Sequence, residues 1–220
     1  MPATAGIVAR MKRYGQRCPA AIALDVIGER WTPLIVRELL LGPKRFTDLA
    51  DGLPGIGTNI LTNRLAGLQD QGVVEKRTLP RPTPVAVYEL TDAGRALAPV
   101  LRELRAWGAR FGPAPQRGDA VQPAWIIQSA AGRNPRVGPG RTCELRVGDD
   151  SFGLTGTDDA VDVRAGSVPT PEAVVTIEPR LFLRLASGKV DPADAAGQIE
   201  VEGDRRVADE VVTMLAGSAR

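Results

Sequence analysis

The chain has 220 residues, 43% hydrophobic and 25% charged, with a formal net charge of +2, two cysteines and no histidine. That length accommodates two domains with their own cores, and the composition is globular rather than disordered or fibrous. Two cysteines far apart, Cys18 and Cys143, exclude a disulfide framework and a zinc cluster, and the lack of histidine removes the commonest general base and metal ligand. With no phosphate-binding glycine loop and no nucleophile elbow either, no enzyme, no cofactor and no metal are expected. No apolar run is long enough to span a bilayer and MPATAGIVARMKRYG lacks the apolar centre of a signal peptide, so a cytoplasmic protein without membrane contact is expected.

Charge divides the chain. Met1 to Gly112 carries 16 Lys+Arg against 10 Asp+Glu, a net of +6, whereas Pro113 to Arg220 carries 12 against 16, a net of −4. A basic half joined to an acidic half implies that only the first meets a polyanion. Between them GPAPQRGDAVQP, Gly112 to Pro123, replaces periodicity with proline, glycine and polar residues. The expected organisation is a basic domain over 1–112, a linker over 113–123 and an acidic domain over 124–220.

In the basic half, Pro19 to Ile27 predicts a short apolar helix and Thr32 to Leu41 a second that stops at Gly-Pro. Arg17 and the helix start just after Cys18 favour its thiolate; the alternative is a small apolar residue packed at a helix entrance. Next come Lys44, Arg45 and Phe46, then a short helix Thr47 to Asp51 with Thr47 as its N-cap.

The following stretch, PGIGTNILTNRLAGLQDQGVVEKR, predicts a helix that Gly57 caps and Gly72 closes. At about 100° per residue from Ile60, Leu68, Leu61 and Leu65 fall near 80°, 100° and 140° and form one apolar stripe. Thr58, Thr62, Asn59 and Asn63 fall between about 160° and 300°. That face is short, neutral and rich in hydrogen-bonding groups, although Thr and Asn are indifferent helix formers and a solvated face would carry Lys and Glu. Asn offers a donor and an acceptor together to the adenine edge, and Thr adds a hydroxyl and a methyl, so the face suits the DNA major groove; the other reading is an ordinary surface helix.

VVEKRTL and VAVYEL then predict two strands joined through PRPTP, an extended loop because its prolines forbid a tight turn. Thr91 to Phe111 predicts a last helix carrying Leu97, Leu101, Leu104, Trp107 and Phe111 at helical spacing, a stripe long enough to serve dimerisation. Helix, turn, helix and hairpin together describe a winged helix-turn-helix. Lys44, Arg45, Lys76, Arg77 and Arg81 flank helix starts or lie in the wing, where phosphate contacts are made.

Cys18-Pro19, Ile27-Gly28-Glu29-Arg30-Trp31, Arg45-Phe46, Leu61-Thr62-Asn63-Arg64-Leu65, Tyr88-Glu89-Leu90-Thr91 and Trp107-Gly108 together resemble the HxlR-type transcriptional regulators over the first half of the chain. The resemblance implies a homodimer on a palindromic operator in double-stranded DNA, one helix in the major groove and a wing on the backbone or minor groove. It also implies a sensor of oxidants and electrophiles at Cys18, as in parts of that family. Two positions depart from the pattern: Gly57 and Asn59 stand where Ser and Lys are usual. Arg64 matches the family but falls near 40°, inside the apolar stripe, which leaves a structural arginine paired with a carboxylate such as Glu75, or a phosphate contact.

The acidic half predicts an α+β domain, giving an α+β chain overall. TCELRV, SFGLTG and VDVRAG are three antiparallel strands, EAVVTIE a fourth, PRLFLRLASG a helix with proline at its first position, IEVEGD a fifth strand and RRVADEVVTMLAG a closing amphipathic helix. The run VTIEPRLFLRLASGKVDPADAAGQIEVEGD resembles the sterol carrier protein type 2 family, which implies a sheet covered by helices over an apolar cavity. The cavity lining is then expected from Trp125, Phe152, Leu154, Phe182, Leu185 and Met214; the alternative is that these fill a solid core. The expected function is a DNA-binding regulator, a repressor, controlled by an apolar ligand or through Cys18; the alternative is an apolar-ligand-binding protein for which DNA binding is secondary.

Overall fold

The computed structural model describes residues 13–80, 84–133 and 136–217. Helix α1 spans Pro19–Ile27 and α2 spans Thr32–Leu40, each with proline in its first turn, where the missing N–H leaves no bond unmade. Helix α3 is Phe46–Asp51, so the short helix expected here is present but Thr47 is its second residue and not its N-cap. Arg45 occupies the cap position, and the Asp48 carboxylate accepts its backbone N–H at 2.9 Å.

Helix α4, Thr58–Asp70, buries Leu61, Leu65 and Leu68. Gly72, at φ 67°, supplies the left-handed residue that turns the chain into strand β1, Val74–Leu79. Strand β2, Val85–Leu90, pairs antiparallel with it. Lys44 and Tyr88 exchange two backbone hydrogen bonds, at 3.0 and 2.8 Å, which dock the loop before α3 onto this hairpin.

The segment expected as one helix from Thr91 is two. Thr91 Oγ1 caps α5, Asp92–Arg95, and α6, Ala98–Phe111, begins anew at its own proline, because Pro99 is tolerated only in a first turn. Gly94 of α5 lies so close to the wing that a Cβ there would sit 2.2 Å from the Val73 carbonyl oxygen. Ile35, Leu39, Leu49, Leu61, Leu65, Leu68, Leu90 and Leu101 form the common core of these elements.

At Pro123 the linker gives way to α7, Pro123–Arg133, a helix that the sequence expectation did not contain. Its run SAAG leaves only Trp125, Ile126 and Ile127 as large apolar side chains, too few to draw a stripe. Strands β3 (Thr142–Val147), β4 (Asp150–Gly156), β5 (Val161–Ala165) and β6 (Ala173–Ile177) follow, then α8 (Pro179–Ala186), α9 (Pro192–Ala195), β7 (Glu200–Gly203) and α10 (Arg205–Ala216). The sheet order is β5-β4-β3-β6-β7. β3 and β6 run parallel and the other pairs antiparallel.

Local rules place the covering helices. The Glu178 and Asp204 carboxylates accept the first-turn N–H groups of α8 and α10. Val207, Val211, Met214 and Leu215 recur at helical spacing on the buried face of α10. α10 lies on β3 and β6 and touches α7 and α8.

The two domains are joined by contact as well as by the linker. α6 packs on α7. Leu41, at the end of α2, is buried in the second domain's core, and its carbonyl accepts the Ala165 N–H at 2.8 Å.

Candidate nucleic-acid interface

The surface that could read a nucleic acid is built by α4. Its apolar stripe faces α2, α3 and the wing, so the opposite face turns outward: Thr58, Asn59, Thr62 and Asn63 are all exposed. The Asn59 and Asn63 carboxamides have no hydrogen-bond partner among the described residues, so both keep a donor and an acceptor for a base edge. Thr62 donates its hydroxyl to the Thr58 carbonyl at 2.9 Å, which fixes the rotamer and leaves the oxygen as an acceptor. Gly57 caps α4 without a side-chain bond and there is no acid in the first turn, so its leading N–H groups stay open to a phosphate. Ile60 stands 45% exposed at the edge of this face, an apolar contact for a thymine methyl.

The cations expected on phosphates separate into two groups. Arg45 is exposed at the start of α3 and Lys76 is exposed on β1, with its ammonium 5.6 Å from the Tyr88 ring centre. Lys44 is not available: its ammonium lies 2.6 Å from Glu38 Oε2 and the side chain is 19% exposed. Arg77 is partly neutralised by Glu89 across the hairpin at 2.7 Å. Arg64 is half-buried and pairs with Glu29, in the loop between α1 and α2, at 3.3 Å rather than with Glu75. Arg81 lies outside the described residues.

Glu38 is the site residue that sequence reasoning missed. It is 0% exposed and accepts from Arg37 Nε at 3.0 Å, Arg37 Nη2 at 2.8 Å, Lys44 Nζ at 2.6 Å and, across the domain boundary, Trp125 Nε1 at 2.8 Å. The Arg37 guanidinium stacks 4.2 Å from the Trp125 ring centre, and the Arg37 carbonyl accepts Gln128 Nε2 at 3.1 Å. A signal was present, since Glu38 is three residues after Ile35 and one before Leu39, on the buried side of α2. Trp125 therefore stands at this junction, against Arg37 and Glu38, and not in the middle of the second domain with the other residues expected to line a cavity there. Phe152, Leu154, Phe182, Leu185 and Met214, expected as cavity lining, are at most 5% exposed and pack together as the second domain's core.

The expected dimerisation stripe is also divided. Leu101 is buried and Leu97 half-buried in the first domain's own core, whereas Leu104, Trp107 and Phe111 are 50%, 62% and 60% exposed. Ile22 and Leu24 of α1 and Val100 of α6 are exposed as well. Ile27 and Val100 line one small pocket, which sets the two helices side by side.

Cys18 is exposed at the N-cap of α1. The Ala21 and Ala20 backbone N–H groups, not Arg17, hold its thiol below the ordinary pKa. Cys143 is buried, and desolvation, with Glu144 beside it, pushes its pKa up to about 12. Among the described residues no group of His, Cys, Asp and Glu is arranged to hold a metal, and no helix is long and apolar enough to cross a membrane.

A helix presenting exposed, uncharged hydrogen-bonding groups, a preceding short helix and a two-stranded wing define a winged helix-turn-helix protein, a DNA-binding class. The chain belongs to the HxlR-like helix-turn-helix family, which residues 26–116 match. It is 41% identical over 90 residues to the uncharacterized HTH-type transcriptional regulator YvaP of Bacillus subtilis, spanning 40% of this chain and 82% of that one. To the HTH-type transcriptional regulator YodB of the same organism it is 37% identical over 89 residues, 40% and 80% of the two chains. The reduced form of YodB superposes with a TM-score of 0.40 at 34% identity, over 46% of this chain and 100% of that one. Residues 138–216 match the SCP-2 sterol transfer family, consistent with the α+β second domain.

Proposed function

We propose that this chain is a cytoplasmic, homodimeric transcriptional repressor that binds a palindromic operator through α4 and the wing and has no catalytic activity. The observation that carries this reading is the outward face of α4, where Asn59 and Asn63 expose unpartnered carboxamides beside Thr58 and Thr62. Nothing in helix stability favours those residues there, and base-edge recognition does. A two-fold dimer supplies two such helices, and the exposed apolar residues of α1 and α6 supply its interface. Modification of Cys18 is the proposed control: its thiol is exposed at a helix N-terminus and leads into α1, which belongs to that same interface.

The test is enrichment of genomic fragments on the purified full chain, followed by affinity measurements on the enriched sequence at rising salt. A repressor of this kind retains a defined set of fragments, and its log affinity falls linearly with log salt. Retention no different from that of random fragments, or affinity insensitive to salt, would reject the proposal.

A further inference from the structure

The loop between α2 and α3 is held from two sides. At its start Leu41 is buried in the second domain's core, and its carbonyl accepts the Ala165 N–H of β5 at 2.8 Å. A few residues later Lys44 exchanges its two backbone hydrogen bonds with Tyr88, on the edge of β2 that β1 leaves free. The chain from Leu41 to Lys44 reaches at most about 10 Å, and Pro43 fixes one of the torsions within it, so the second domain and the wing share a short, stiff tie. A two-stranded hairpin is marginally stable alone, and the wing therefore takes its orientation from what it docks on.

A buried side chain holds the same region. Glu38 Oε1 accepts from Arg37 and, out of the second domain, from Trp125 Nε1 at 2.8 Å, while Oε2 meets the Lys44 ammonium at 2.6 Å. The end of α3 reaches this carboxylate too: a Cβ at Gly52 would lie 2.7 Å from Glu38 Oε2, and the Gly52 carbonyl accepts Arg37 Nη2 at 3.4 Å. Lys44 ahead of α3 and Gly52 behind it thus rest on one carboxylate, whose other oxygen the second domain holds. The cations on this framework face outward: Arg45 follows Lys44 directly, and the Lys76 ammonium stands over the Tyr88 ring.

We infer that the second domain is a working part of operator recognition: Trp125 and the Ala165 N–H are positioning groups that hold α3 and the wing in place around α4. The inference rests on the proposed reading of DNA by α4. Phosphate contacts fix the register in which base edges are met, so a loosened α3 and wing misplace Arg45 and Lys76 relative to Asn59 and Asn63. Operator binding needs all of these contacts at once and suffers. Binding to random DNA depends on charge alone, which neither positioning group changes.

Two measurements on the full chain, at a temperature where every variant is folded, test this. The first compares affinity for the enriched operator and for random DNA in Trp125→Phe, which keeps the ring over Arg37 and loses its N–H, and in Ala165→Pro. Gly166 donates to Ser151 of β4 whereas Ala165 donates outward to Leu41, so proline at 165 removes the bond between the domains without taking one from the sheet. Each variant should lose about fivefold on the operator, the scale of one hydrogen bond, and less than about twofold on random DNA. Ile177→Val, which trims the second domain's core away from the junction, should leave both affinities unchanged. The second measurement is amide exchange without DNA: the Lys44 and Tyr88 amides should exchange about fivefold faster in Trp125→Phe, and that of Leu65 in α4 at the parent rate. A parent chain with no preference for any DNA sequence would overturn the proposed function and this inference together. With that preference intact, the inference alone falls if the positioning variants keep the parent's ratio of operator to random affinity, if Ile177→Val lowers the ratio equally, or if exchange at Lys44 and Tyr88 is unchanged.

Discussion

Replacing Glu38 by alanine tests the idea that one buried carboxylate ties the helix-turn-helix to the second domain. The side chain is 0% exposed and its two cationic partners, Arg37 and Lys44, are only 17% and 19% exposed. Removing the acid therefore leaves two charges that water reaches poorly, and removing one partner of a buried pair costs about 3 to 5 kcal/mol. The Trp125 N–H also loses its acceptor, which adds about 1 kcal/mol or more, while partial access of water to Arg37 and Lys44 subtracts a similar amount. The expected loss is thus about 3 to 5 kcal/mol, against about 1 kcal/mol or less for Arg77→Ala, whose ion pair is 55% exposed on the arginine side. Urea unfolding followed by tryptophan fluorescence reads the difference as a midpoint lower by about 1 to 2 M for Glu38→Ala. Trp125→Phe keeps the ring over Arg37 but loses the hydrogen bond, so its cost should not add to that of Glu38→Ala. A midpoint for Glu38→Ala within the range of Arg77→Ala, or strict additivity with Trp125→Phe, would refute the reasoning.

Three further outcomes follow from the same geometry. Leu104→Asp, placed on the exposed apolar face of α6, should convert a dimer into a monomer by sedimentation and abolish specific DNA binding, while a monomeric parent chain at micromolar concentration would contradict the assembly. Cys18, held below the ordinary thiol pKa by helix N–H groups, should be alkylated by iodoacetamide with a pH midpoint below that of a free thiol, because the thiolate reacts and is present at lower pH; Cys143, at about 12, should stay unreacted in the folded chain. Arg45→Ala should weaken binding to all DNA alike and reduce the salt slope by about 1, whereas Lys44→Met, already neutralised by Glu38, should act on stability and leave the slope nearly unchanged, as titration of affinity against salt will show.

The recognition helix was legible because its residues segregate by angle: Leu61, Leu65 and Leu68 fall together and are buried, and the Thr and Asn residues fall opposite and are exposed. The strands were legible for a similar reason, alternation at period two bounded by turn residues, and β2 of the wing and β3 of the second domain run over the expected residues. Partners were not legible. The angle of Arg64 shows that it points inward, but only the folded chain shows that Glu29, in the α1–α2 loop, and not Glu75 is its partner. A stripe on α6 likewise shows one apolar face without showing where its own domain stops covering it, which is why Leu101 is buried and Leu104 is not. Lys44 looked free because its partner, Glu38, sits on an otherwise apolar helix face, and the acceptor for Trp125 lies in a different domain altogether. Long-range pairing of this kind leaves no periodic trace.

The central claim, that α4 reads DNA sequence, is tested most directly by measuring the affinity of Asn63→Ala on the enriched operator and on random DNA under the same salt. Asn63 is exposed on the outer face of α4 and its carboxamide has no partner among the described residues, so the substitution leaves the fold intact. The account predicts a loss of about 1 to 3 kcal/mol on the operator and almost none on random DNA. An equal loss on both, or no loss on the operator, would contradict it.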